Sequence, residues 1–254
     1  MGDGRTVLHD TKVGELWGTP NDKWGHIIFR RAHQNAKALI DEGNDPLRII
    51  SERAHAKGLL IYPVLLVQQG SGERGLDTRT SNFRLENKHL EIGSLGDLDS
   101  DATWTQFLDF KHQEVRDERF ALIEETLQNY PVDGFELNLN HYAGGHFFHP
   151  DQVETGRAIM TDWIRRVYEA VKQSGSDREL TLRIPTSIEG CLSIGLDPEE
   201  WVRQGIADVL VAENFGQMSL IDSTADFRPL VATAQDADCR IHGVIRNNVD
   251  SDRL

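Results

Sequence analysis

The sequence predicts an α/β fold: a parallel sheet wound with helices in the manner of a (β/α)8 barrel. Three observations point there. Strand-length apolar runs alternate with helical patterns in the order β-α-β-α-β-α-β, at spacings of about 30–75 residues that suit parallel strands joined by right-handed crossovers. Polar side chains gather late in several of those strands, where barrel chemistry sits. A dinucleotide-binding alternative lacks its glycine-rich turn, because Gly70-Ser71-Gly72 is followed by no third glycine at the right spacing.

Taken in order, residues 1–25 hold scattered Gly and Asp with Trp17 and Trp24 and no period, and read as a loop. His26 to Glu42 reads as a helix, with Ile27, Ile28, Ala32, Ala36, Leu39 and Ile40 near helical spacing and Gly43 as its stop. Asp45 caps a second helix, Pro46 fits its first turn and Gly58 follows its end. Leu59–Val67 is a continuous apolar run, as a strand covered on both faces should be. No strand precedes the helices.

Gln68 to Asp101 is rich in Gly, Ser, Asp, Asn and Arg and reads as a functional loop or lid. Thr103–Phe110 reads as short and extended. A strong helix runs from Gln113 to Tyr130, with Val115, Leu122, Ile123, Leu127 and Tyr130 on one face and Pro131 ending it. Strand 134–140 follows, then a loop to Pro150 and a helix over about residues 151–173. Leu180–Pro185 alternates as a strand, Asp197-Pro198-Glu199-Glu200 opens a short helix ending at Gly205, and Val209–Asn214 and Arg240–Ile245 are further strands around a weaker helix near Asp226–Gln235.

The run from Asp133 to Tyr142 carries the chemistry. Successive strand side chains point to opposite faces, so Phe135, Leu137 and Leu139 share one face and Glu136, Asn138 and Asn140 the other. Long helices flank this strand in sequence, which indicates a sheet with largely covered faces. A carboxylate and two carboxamides are costly to bury without partners. Arg183 shares the inward face of the next strand by the same parity, as a charge partner for Glu136 or as half of a purely structural pair.

Glu213, at the end of its strand, supplies a second carboxylate. Two carboxylates from different strands facing one cavity are what glycoside hydrolysis requires: one protonates the leaving oxygen while the other attacks or activates water. His141, His146 and His149 form a cluster in the loop after the central strand. Its spacing matches no helical metal pair, and a loop that touches substrate through His141, Tyr142, Phe147 and Phe148 fits better than a metal centre. No metal or other cofactor is implied. No GxSxG elbow and no phosphate loop is present.

Composition narrows the partners. At 39% hydrophobic and 27% charged the chain is an ordinary globular one, and a net charge of -14 with no basic stripe argues against nucleic acid. Cys191 and Cys239 form no CxxC and no disulfide framework. No apolar run reaches the ~18 residues of a membrane span, and the N-terminus lacks a signal-peptide core.

Several segments also look familiar together. Leu108-Asp109-Phe110, Glu114-Val115-Arg116 and Tyr130-Pro131-Val132-Asp133-Gly134-Phe135-Glu136-Leu137 resemble the glycosyl-hydrolase-like barrel proteins of bacteria, distantly related to family 10 glycoside hydrolases. Arg53-Ala54-His55-Ala56-Lys57-Gly58, Leu182-Arg183-Ile184-Pro185 and the stretch Gly195 to Asp208 match in the right order. The resemblance covers roughly residues 45–215. It implies a (β/α)8 TIM barrel in which strands three to seven are recognisable, with the first two before Gly2 and the eighth beyond Leu254. On that register the chain is a single catalytic domain cut short at both ends. As written it is cytoplasmic, while a missing N-terminus leaves room for an export signal. The implied activity is hydrolysis of an oligo- or polysaccharide by Glu136 and Glu213, with Asn138, Asn140, His141, Tyr142 and Arg183 binding the sugar. A non-catalytic carbohydrate-binding barrel is the alternative. Where family members carry an Asp two residues after Glu136, this chain has Asn138.

Overall fold

The computed structural model describes residues 5–68, 78–140, 146–214 and 225–244. The N-terminal segment is not a plain loop. It holds two short strands, β1 (Thr6–Val7) and β2 (Glu15–Leu16), paired in parallel. Then come α1 (Ile27–Asp41) and α2 (Pro46–His55). Asp45 caps α2 as expected, accepting from the backbone N–H of Leu47 at 2.8 Å and of Arg48 at 3.1 Å.

Strand β3 is Val64–Leu66, much shorter than the apolar run that contains it. Leu59 and Leu60 are 60% and 70% exposed, so the first part of that run is not a covered strand. Sheet pairing selects the segment instead: Ile61 and Pro63 offer carbonyls to Asp133 and Glu136, and β3 follows directly. The described part of the expected lid contains a short helix α3 (Asn82–Glu86) and a 3-10 turn at Lys88–Leu90. Thr103–Gln106 is also a 3-10 turn rather than extended chain, although Leu108 makes an antiparallel bridge with Glu91.

Helix α4 (Gln113–Asn129) leads to β4 (Gly134–Asn138), α5 (Val153–Ser174) to β5 (Glu179–Ile184), and α6 (Ile188–Leu192) with α7 (Pro198–Gln204) to β6 (Val209–Ala212). Helix α8 (Arg228–Ala234) and β7 (Arg240–Gly243) complete the series. Gly205 ends α7 at φ 65°, the left-handed conformation that glycine adopts without penalty.

Strands β3 to β7 form one parallel five-stranded sheet in sequential order. A doubly wound sheet reverses its strand order at a switch point, and these five strands do not. Their two faces differ sharply. Leu65, Val67, Phe135, Leu137, Leu139, Leu180, Leu182, Ile184, Leu210 and Ala212 join one core with residues of α4, α5, α7 and α8. Those helices pack in chain order, α4 on α5, α5 on α7 and α7 on α8. Register places Val64, Glu136, Thr181 and Val209 in one row of the opposite face, and Leu66, Asn138, Arg183 and Val211 in the next. The apolar side is thus the helix side, and the polar residues share the other.

Helix α4 is buried on more than the single expected face. Besides its apolar residues it buries Glu118 and Glu125, which the N-terminal segment contacts, Arg119, whose Nε donates to the Val67 carbonyl at 3.0 Å, and Thr126. Thr11 donates to Glu125 at 2.5 Å, the Lys12 N–H to the same carboxylate at 2.6 Å, and Arg5 sits 3.5 Å from Glu118. Tyr130, just past α4, donates to Asp45 at 2.7 Å and ties α2 to the same corner.

Gly134 opens β4 where no side chain fits. A Cβ there would press on the Tyr62 ring and stand 2.5 Å from the Glu179 carbonyl. Gly134→Ala should therefore cost about 1–3 kcal/mol through overpacking against backbone that cannot yield. Urea unfolding checks this, and an unchanged midpoint would show that the contact relaxes.

Candidate functional site

The polar row resolves into a three-residue ion cluster. Glu136 lies within β4, Arg183 within β5, and Glu213 just beyond β6. Arg183 Nε donates to Glu136 Oε1 at 2.7 Å, and its Nη1 reaches Glu213 Oε2 at 3.3 Å. One guanidinium therefore holds both carboxylates, in side chains drawn from three neighbouring strands. Glu136 and Glu213 are only 9% and 6% exposed. Burial works against the charge of Arg183, but the hydrogen bonds and attraction of Glu136 and Glu213 outweigh it and raise the guanidinium above its ordinary value.

The two asparagines build the frame around this cluster. Asn138 Oδ1 accepts the backbone N–H of Asn140 at 3.0 Å, which fixes the chain as it leaves β4. Asn140 Nδ2 donates to the Glu213 carbonyl at 2.6 Å, spanning β5 to tie the ends of β4 and β6. Leu139 N–H to the Arg183 carbonyl and Glu213 N–H to the Ile184 carbonyl, both 2.9 Å, continue the pairing past the formal strand ends. Five of the sequence-predicted site residues thus come together at the C-terminal ends of β4, β5 and β6. His141 and Tyr142 lie outside the described residues.

The rest of the histidine loop departs from expectation. Phe147 and Phe148, expected at a substrate-facing mouth, are each 1% exposed. Phe147 packs edge-on against Phe110 with centroids 5.4 Å apart, and Phe148 fills space beside Gly156 and Gly195, where any added Cβ would collide with its ring. His149 is buried, accepts the Asp151 N–H through Nδ1 at 3.3 Å, and stands 3.2 Å from Asp97 through Nε2. His146 stacks on Trp104, with centroids 4.4 Å apart and planes 24° from parallel. Among the described residues no group of three or more His, Cys, Asp or Glu is placed to hold a metal ion, and no helix is long and apolar enough to cross a membrane.

Two participants escaped sequence reasoning. Gln68 lies two residues past the end of β3 and is buried; its Nε2 donates to the Leu108 carbonyl at 2.6 Å and to that of His146 at 3.0 Å. One carboxamide thereby holds two loops at the strand ends. Trp104 is the other, and its partner lies too far along the chain for a local pattern to reveal. The only available signal was polarity: Gln68 is the first polar residue after a long apolar run.

No protein-family model and no curated protein matches the chain. Among solved structures it is similar to a cyclomaltodextrinase, at 12% identity and a TM-score of 0.41, over 78% of this chain and 40% of that one. It is also similar to a sugar phosphate isomerase/epimerase from Parabacteroides distasonis, at 12% identity and a TM-score of 0.35, over 82% of this chain and 77% of that one. The chain therefore spans 40% of the length of the cyclomaltodextrinase.

Proposed function

We propose that this chain is a carbohydrate-active enzyme of the (β/α)8 type that hydrolyses a glycosidic bond at Glu136 and Glu213. The reading rests above all on two buried carboxylates from separate parallel strands that meet on one guanidinium at the C-terminal strand ends. That is the end of a β/α barrel where chemistry is carried. Sequential strand order with helices on the apolar face supports barrel architecture. One carboxyl group protonates the leaving oxygen, and the other stabilises or attacks the anomeric carbon. Arg183 orients both, and Asn138 and Asn140 fix the strand ends around them.

The spacing also favours one stereochemical outcome. The contacting oxygens reach neighbouring nitrogens of a single guanidinium at 2.7 and 3.3 Å. That suits the ~5 Å separation of a retaining pair better than the ~6.5–9.5 Å of an inverting pair. Incubation with a panel of oligo- and polysaccharides, followed by NMR of the first anomer released, should show reducing sugar with retained configuration. No release from any glycan by a cooperatively folded chain would overturn the reading.

A non-catalytic carbohydrate-binding barrel is the second reading, and two observations favour it. Arg183 engages both carboxylates at once, and the neighbouring position is the non-ionising Asn138. On that reading the ion cluster is structural, and glycans bind without turnover.

A further inference from the structure

We infer that Trp104 and His146 form an aromatic platform that binds a sugar ring of a longer glycan chain, outside the cleavage point. The inference rests on the carbohydrate reading above and adds a subsite to it. The other aromatic side chains near this rim, Phe110, Phe147, Phe148 and Trp163, lie in the core at 2% exposure or less. Trp104 and His146 are only half-buried, so their stacked pair keeps part of its surface open to solvent. Leaving an indole partly exposed forgoes apolar burial worth about 25 cal/mol per Å². A flat aromatic surface offers that area to the C–H face of a sugar ring, while the polar tips of indole and imidazole serve its hydroxyls. Burial holds His146 below its ordinary pKa, so the imidazole is neutral at physiological pH and the platform carries no charge.

The platform is braced and correctly placed. The His146 carbonyl is held by Gln68, which also holds Leu108 on the Trp104 side. Phe110 N–H donates to the Phe147 carbonyl at 2.8 Å, locking the two segments together. Gln68 continues the face of β3 that carries Leu66, in register with Asn138 and Arg183. Two strand spacings of about 4.8 Å separate β3 from β5, so Gln68, which holds both loops of the platform, lies about 10 Å across the sheet from the strand of Arg183. A ring on that platform belongs to a neighbouring sugar of the same chain, not to the one being cleaved.

The test titrates cello-, xylo- and malto-oligosaccharides, from disaccharide to hexasaccharide, against the wild-type chain, Trp104→Ala and Trp104→Phe. Binding is followed by calorimetry in the Glu136→Gln background and hydrolysis in the active chain. For the best ligand, Trp104→Ala should weaken hexasaccharide binding about tenfold and disaccharide binding much less. Trp104→Phe should restore most of the loss, which a merely misfolded variant would not do. Length-dependent binding that needs Trp104, with no hydrolysis by the wild type, upholds the platform and sinks the hydrolase reading. Hydrolysis with a KM indifferent to Trp104 at every length upholds the hydrolase and sinks the platform. Absence of binding by every oligosaccharide overturns the platform as well.

Discussion

Arg183→Met should lower the stability of the chain by about 3–5 kcal/mol at neutral pH, the usual cost of stripping the partner from a buried charge. Methionine keeps most of the side-chain volume, so the loss isolates charge from packing. In the variant Glu136 and Glu213 face one another across the space that the guanidinium filled at 2.7 and 3.3 Å. Like charge and burial then both penalise their ionised forms. A carboxyl group whose folded pKa is raised binds more protons folded than unfolded, so its penalty is greatest at high pH and shrinks as pH falls through the folded pKa. Urea unfolding of the variant at pH 7 and pH 5 should therefore show a smaller deficit at pH 5. An equal deficit at both values would mean that the ion cluster contributes packing alone. Adding Glu136→Gln to Arg183→Met should recover part of the loss, since only one buried carboxylate then remains.

Glu136→Gln carries the second large effect. Glutamine preserves size and still presents an oxygen to Arg183 Nε, so the fold should survive with a melting temperature close to wild type. It can neither give up a proton nor act as a nucleophile. Turnover should fall by at least about 10²–10⁴-fold, the ordinary weight of a positioned acid–base group. Glu213→Gln should do the same, and the double variant should be little worse than either, because the two groups act as a unit. Glycan affinity measured by calorimetry should change little. Retention of wild-type turnover by Glu136→Gln would remove Glu136 from the chemistry.

Much of the scaffold could be read directly from the chain where one residue type has one physical use. Asp45 and Asp197 each cap the helix that follows, and Gly205 supplies the left-handed turn after α7. Strand parity placed Glu136, Asn138 and Arg183 on one face, and the observed register agrees. The failures have a common cause, since each depends on distant contacts. The strands β1 and β2 are too short for any period, and the N-terminal segment is held by Glu118 and Glu125 of α4. The five-residue α6 is likewise too short to show a helical period. An apolar run such as Leu59–Val67 cannot announce which third of it will pair, because pairing is decided by Asp133 and Glu136. Phe147 and Phe148 look like binding aromatics until Gly156 and Gly195 reveal the space made for one of them. Trp104 finds His146 only once Gln68 has gathered both loops.

Sequential strand order also sets a timetable for the chain as it is synthesised. Each new strand finds its neighbour already present, so the sheet can grow in the direction of translation. The ion cluster cannot keep pace with it. Arg183 follows Glu136 by 47 residues and Glu213 follows Arg183 by a further 30. At about 5–20 residues per second, Glu136 leaves the ribosome about 2–9 s before its counter-ion. For that interval a carboxylate and two carboxamides keep one side of the nascent sheet hydrated while the helix side is already free to condense. The same polar row that composes the site thus delays its closure until the last of its three strands has arrived.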